Sequence, residues 1–136
     1  MKERRQARVL AMQALFQADV GGDNPEQVLR EGKREGNAKG EAYAAQLVRL
    51  IREKQAEIDA VIGRLSLEWT LDRLATVDRQ ILRVGVAEIL FGEIPAAVAI
   101  NEAVEIAKLY SNLEGARFIN GILGAVAREM TNGEAK

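Results

Sequence analysis

Apolar residues recur along this chain every three or four positions, the spacing that gathers them on one face of a helix. The densest stretch is TVDRQILRVGVAEILF, residues 76–91. Wound at about 3.6 residues per turn, its Val77, Ile81, Leu82, Val84, Val86, Ala87, Ile89, Leu90 and Phe91 cover almost the whole circumference. A helix apolar nearly all round must be covered by other helices, so this one is expected at the centre. Gly85 in its middle costs about 1 kcal/mol against alanine, and close approach of a neighbouring helix would account for it. The few polar residues, Asp78, Arg79, Gln80, Arg83 and Glu88, predict one wet edge that a partner can touch. Thr76 is read as the N-cap, with Asp78 in the first turn suiting the helix dipole.

The other elements follow from the same spacing. Val9, Met12, Phe16 and Val20, with Ala7, Ala11 and Ala14 between them, predict a helix over 3–20 that Gly21-Gly22 ends. Asn24-Pro25-Glu26 is a helix start with cap, proline and first-turn acid in order, and a short helix runs on to about Arg34. The polar stretch REGKREGNAKG, with Gly32, Gly36 and Gly40, is expected to be a mobile loop. Residues 41–65 form a long amphipathic helix with the stripe Leu47, Leu50, Ile51, Ile58, Val61, Ile62 and Leu65. After a break holding Trp69, residues 71–75 predict one helical turn. Pro95 stops the central helix. Residues 100–110 place Ile100, Ala103, Val104, Ala107 and Tyr110 on one side, and 115–130 turn Phe118, Ile119, Ile122, Leu123 and Val126 inward. Asn120-Gly121 is a turn signal in isolation, overruled here because the apolar spacing continues across it. No segment alternates with period two. The expected class is all-α, with about seven helices.

A chain of 136 residues is one domain by prior. No run of about 18 apolar residues exists, so no transmembrane helix is expected. No apolar core follows the basic start, so it is not a secretory signal. The expectation is a cytoplasmic protein with no membrane association. Cysteine and histidine are both absent, which removes thiolate chemistry, the commonest general base and the commonest metal ligands. The net charge of −1 is unevenly spread. Residues 1–17 carry Lys2, Arg4, Arg5 and Arg8 against Glu3, a net of +3, which leaves −4 on the remainder. A basic end on an acidic body points to a localised anion contact.

Catalysis is not supported: no histidine can activate Ser66, Thr70, Thr76, Ser111 or Thr131, and no Ser-x-x-Lys is present. Glu102 and Glu105 are expected on a solvated helix face. Gly121-Ile122-Leu123-Gly124 has the GxxG form that clamps RNA backbone in KH domains, but inside an apolar helical pattern it is read as close helix packing. No catalytic residue, metal site or cofactor is predicted. Arg4, Arg5 and Arg8 suit phosphate, because the planar guanidinium fork matches it; a solvated terminus beyond the core explains them equally well. Arg117 beside Phe118 pairs a cation with a ring able to stack on a base. Phe118 and Phe16 are both read as core first.

Three stretches then carry a resemblance. VAINEAVEIAKLYSNLEGARFINGIL (98–123) resembles the C-terminal signature of the NusB family of bacterial transcription antitermination factors. RRQARVLAMQALFQ (4–17) is similar to that family's arginine-rich opening, and VDRQILRVGVAEILF (77–91) to its central helix. The resemblance implies a single all-helical domain over 1–136, with N-terminal helices at about 3–65 packed on C-terminal helices at about 71–130. It implies a non-enzymatic factor that binds boxA RNA of ribosomal RNA transcripts together with NusE, a small-subunit ribosomal protein. NusA, NusG and RNA polymerase would join in the larger complex, and the chain itself would be monomer or homodimer. By position, the implied RNA surface is Arg4, Arg5, Arg8, Asp72, Arg73, Arg117, Phe118 and Asn120. The implied partner surface is Phe16, Val20 and Asp78. Gln6 interrupts what is often a continuous arginine run, Glu114 stands where aspartate is common, and Gly115-Ala116 replace small polar residues. The alternatives are a helical dimerisation module and an RNA-binding domain related to that of ribosomal RNA cytosine methyltransferases.

Overall fold

A computed structural model of the chain describes residues 2–31, 38–66 and 74–131. Among the described residues there are six helices and no strand: α1 (Lys2–Gly21), α2 (Pro25–Glu31), α3 (Ala38–Leu65), α4 (Thr76–Phe91), α5 (Ala96–Tyr110) and α6 (Leu113–Thr131). The all-α expectation is met. Trp69 and the loop glycines Gly32 and Gly36 lie outside the described residues. Of the helical turn expected over 71–75, Leu74 and Ala75 are described and are not helical.

Local signals account for most boundaries. Gly21 closes α1 and Gly22 follows at φ +76°, the left-handed region that glycine enters without strain. Asn24 caps α2, its side-chain oxygen accepting from the amides of Glu26 at 2.9 Å and Gln27 at 3.2 Å. Gly40, expected in a loop, lies within α3. Thr76 is not a cap: Ala75 holds that position, with no side-chain hydrogen bond to the helix start. α5 begins at Ala96, four residues earlier than its apolar spacing suggested, because Pro95 already fixes the entry to the helix. α6 runs unbroken through Asn120-Gly121. A Cβ on Gly121 would meet nothing within 4 Å, and one on Gly124 only the tip of Arg128. The GxxG run is therefore helical as expected, but neither glycine marks close packing against another helix.

α4 is the centre. It packs against α1, α3, α5 and α6, and residues 80–89 are all buried. A Cβ on Gly85 would lie 2.6 Å from Leu123 Cδ1, so glycine is what lets α6 approach. One apolar cluster joins Ala11, Leu47 and Ile51 of α1 and α3 to Leu82, Ala103, Ile119 and Leu123 of the later helices.

The expected wet edge of α4 does not exist. Asp78, Gln80, Arg83 and Glu88 are buried, and all but Asp78 are met by polar groups of other helices. Arg83 donates from Nε and Nη2 to the two carboxylate oxygens of Asp59 in α3, both at 2.9 Å. Asp19 of α1 accepts from Arg79, Gln80 and Arg83 at 3.1, 2.6 and 3.1 Å. Arg83 and Glu88 are stable on a buried helix because each has its opposite charge and its hydrogen bonds. Arg8 pairs with Glu88 while Asp19 pairs with Arg79, so α1 and α4 run antiparallel.

The buried face of α1 is also rotated from expectation. Ala7, Ala11, Met12, Ala14 and Leu15 are buried, whereas Phe16 is half-buried outside the core cluster and Val20 is 66% exposed. Small alanines let α1 pack closely on its neighbours, and counting large side chains alone overlooks that contact.

Candidate nucleic-acid and partner interface

The arginine opening lies on a regular helix rather than on a frayed end. Arg8 is 3% exposed; its Nε donates to both carboxylate oxygens of Glu88 at 2.9 Å, and its Nη1 to Glu102 at 3.3 Å. Glu88 is 1% exposed and also accepts the hydroxyl of Tyr43. Arg5 donates from Nε and Nη2 to the two oxygens of Glu102 at 2.9 and 2.8 Å, a bidentate fork. Arg4 is exposed and stacks on the Tyr43 ring, 4.3 Å to its centroid. The solvated-terminus reading therefore fails for Arg8 and Arg5. So does the solvated face expected for Glu102, although Glu105 does pair at the surface with Lys108 at 3.0 Å.

Titration follows this geometry. Hydrogen bonding to Arg5 holds the Glu102 carboxyl below its ordinary value, against the opposing effect of burial. Burial, then the bond to Glu88, pushes the Tyr43 hydroxyl upward, so Tyr43 remains a neutral donor. Three arginines face two carboxylates, which leaves one cation in excess, and the exposed member is Arg4.

A second feature lies at the other end of α4. Asp78 and Glu88 are ten residues apart, about 15 Å along the helix. Asp78 is 9% exposed, and its Oδ1 has no hydrogen-bond partner among the described residues. It lines a cleft of about 240 Å³ with Leu74, Ala75, Asn112, Glu114, Gly115 and Phe118. Asn112 caps α6, its side-chain oxygen accepting from the Gly115 amide at 2.7 Å. A Cβ on Gly115 would lie 2.9 Å from either Asp78 carboxylate oxygen, so the glycine makes room for the acid. Phe118 is half-buried at the edge of the core, and Arg117 and Asn120 beside it are exposed.

The expected site residues thus fall into two groups. Arg4, Arg5 and Arg8 gather at the Glu88 end of α4. Phe118 shares the cleft of Asp78 at its start, so a residue expected to contact RNA adjoins one expected to contact a partner. Val20 follows Asp19, which is tied to Arg79, and so lies toward the Asp78 end. Asp72 and Arg73 lie outside the described residues. Sequence reasoning missed Tyr43, Asp19 and Asp59. The available signal was the buried charge on α4, which required opposite charges elsewhere.

The model of the NusB family matches residues 5–128. The chain belongs to the NusB family. It is 47% identical over 130 residues to the transcription antitermination protein NusB of Heliobacterium modesticaldum, covering 93% of this chain and 63% of that relative's length. It is similar to a solved NusB structure from T. maritima at 40% identity and a TM-score of 0.86, over 93% of this chain and 91% of that one. It is also similar, at 31% identity and a TM-score of 0.82 over 94% of this chain and 98% of that one, to a chain in the crystal structure of antitermination factors NusB and NusE with double-stranded RNA. The curated relatives it matches are transcription antitermination proteins.

Proposed function

We propose that this chain is an RNA-binding transcription antitermination factor that binds boxA RNA of ribosomal RNA transcripts together with NusE. Membership of the NusB family supports the class of function, and the solved complex of related factors with RNA supports both partners. The observation that carries the RNA reading is the surplus cation of the arginine cluster, Arg4, exposed and over the face of the Tyr43 ring. Arg5 lies one residue on and Arg8 braces the helix beneath them; Arg117, Phe118 and Asn120, toward the Asp78 end of α4, are assigned as a second part of the RNA surface, and Asp72 and Arg73, outside the described residues, are assigned to it by family resemblance alone.

The partner surface is Asp78 with Val20 and Phe16. Asp78 lines the cleft and its Oδ1 is buried without a hydrogen-bond partner among the described residues, so a cationic or amide donor from NusE that enters the cleft would satisfy it. Exposed Leu109, Tyr110 and Leu113 flank the cleft residues in sequence and offer apolar area for a protein partner. In this reading residues 1–136 act as one domain, in the cytoplasm, as monomer or homodimer, with NusA, NusG and RNA polymerase completing the assembly. Among the described residues no helix is long and apolar enough to cross a membrane.

A gel shift with boxA RNA, with and without NusE, tests the reading. Weak binding alone and a supershifted, tighter complex with NusE are expected. Absence of any shift in both lanes would refute it. Asp78→Asn keeps the shape of the cleft and removes its charge. It is expected to weaken NusE binding in calorimetry at low salt, and unchanged affinity would remove Asp78 from the interface.

A further inference from the structure

Arg5 and Glu102 form an arrangement that RNA binding by itself does not require. Glu102 presents two oxygens to the Arg5 fork, the geometry that a phosphate would offer. The two ends of the pair differ in access. The Arg5 side chain is 41% exposed, and that of Glu102 only 13%. The cation is at the surface and the carboxylate is fixed between α1 and α5.

We propose that Glu102 clamps Arg5 as an internal phosphate mimic, so that RNA gains this arginine only by displacing the carboxylate, which suppresses weak, sequence-independent RNA binding. The inference rests on the RNA-binding reading above. The surrounding network permits the exchange. When Arg5 swings out, Glu102 retains Arg8 Nη1 at 3.3 Å, so the carboxylate is not left unpaired. Arg8 retains Glu88 at 2.9 Å, and Glu88 retains Tyr43. Arg4 has no such clamp, because its partner is an aromatic face. The surface therefore holds one cation that any phosphate can reach and a second that is conditional. An RNA anchored by further contacts holds its phosphate beside Arg5 long enough to compete; an RNA held by one or two phosphates does not.

The test uses single-stranded RNA of mixed sequence and the full chain, with binding followed by fluorescence anisotropy across a salt series. Four proteins are compared: wild type, Glu102→Gln, Arg5→Lys and the double variant Glu102→Gln/Arg5→Ala. Glu102→Gln is expected to bind more tightly, with a salt slope steeper by about 0.7, one phosphate contact on a single strand. That change amounts to roughly eightfold in affinity between 1 M and 0.05 M salt. The double variant is expected to return to the wild-type slope, because the added contact is Arg5 itself. Arg5→Lys keeps the charge but cannot form the bidentate fork, and it should also tighten binding. It provides the answer if Glu102→Gln fails to fold by circular dichroism. Wild-type binding with an unchanged slope in the folded Glu102→Gln or Arg5→Lys protein overturns the clamp alone. Absence of RNA binding in every protein at every salt concentration overturns the RNA reading, and the clamp with it.

Discussion

Arg4 and Arg8 are one helical turn apart, and the fold gives them opposite tasks. Arg8 is enclosed by Glu88, Glu102 and Tyr43, whereas Arg4 lies open on one ring face. Removing one partner of a buried ion pair leaves an uncompensated charge and costs about 3–5 kcal/mol. Arg8→Ala should therefore lower the urea midpoint sharply. Arg4→Ala should stay within about 0.5 kcal/mol of wild type, as surface substitutions do. Equal midpoints for the two variants would contradict the assignment. Gly85 raises the same issue in apolar form. Gly85→Leu drives a side chain into Leu123, and overpacking typically costs about 1–3 kcal/mol. Leu123→Ala in the same chain should recover part of that loss, and a double-mutant cycle in urea measures the coupling.

At the scale of elements, charge pairs at both ends of the α1–α4 contact fix its direction and register: Arg8 to Glu88 at one end, Asp19 to Arg79 and Gln80 at the other. Between them Met12 of α1 lines one small cavity with Ile81, Val84 and Gly85 of α4. Asp19→Ala removes an acceptor shared by three donors. Arg83 keeps Asp59, so the loss should be local, about 1–3 kcal/mol, and concentrated in the last turns of α1. Hydrogen exchange that speeds up only there would bear this out; uniform loss of protection across α3 and α4 would not. The existence and order of these helices were legible in the apolar spacing. The rotation of α1 was not, because Phe16 and Val20 outweigh Ala7 and Ala11 in any count of hydrophobicity, while backbone approach favours the smaller residues.

For the whole molecule, pH sensitivity below the alkaline range is confined to acid. No histidine or cysteine titrates near neutrality. Hydrogen bonds from Arg5 and Arg64 hold the Glu102 and Glu129 carboxyls below their ordinary value of 4.5. A carboxyl lowered in the folded state adds stability that is complete above its unfolded value and is lost as pH falls through its folded one. The urea midpoint should be flat through the neutral range and fall below pH 4.5. Glu102→Gln should make that fall shallower. A midpoint that rises on acidification would contradict the ion-pair network.

The sequence by itself determined the helical class, the central place of residues 76–91, the need for glycine at position 85 and the candidate arginines. These follow from periodicity and side-chain size, which are local properties of the chain. The tertiary structure alone decided which polar residues are wet. Gln80, Arg83 and Glu88 read as an exposed edge because no local rule reveals that Asp19, Asp59 and Arg8 arrive from other helices to meet them. It likewise decided that of three similar arginines one is structural, one is clamped and one is open. That difference depends on carboxylates 80 to 97 positions away along the chain, a separation across which spacing carries no information.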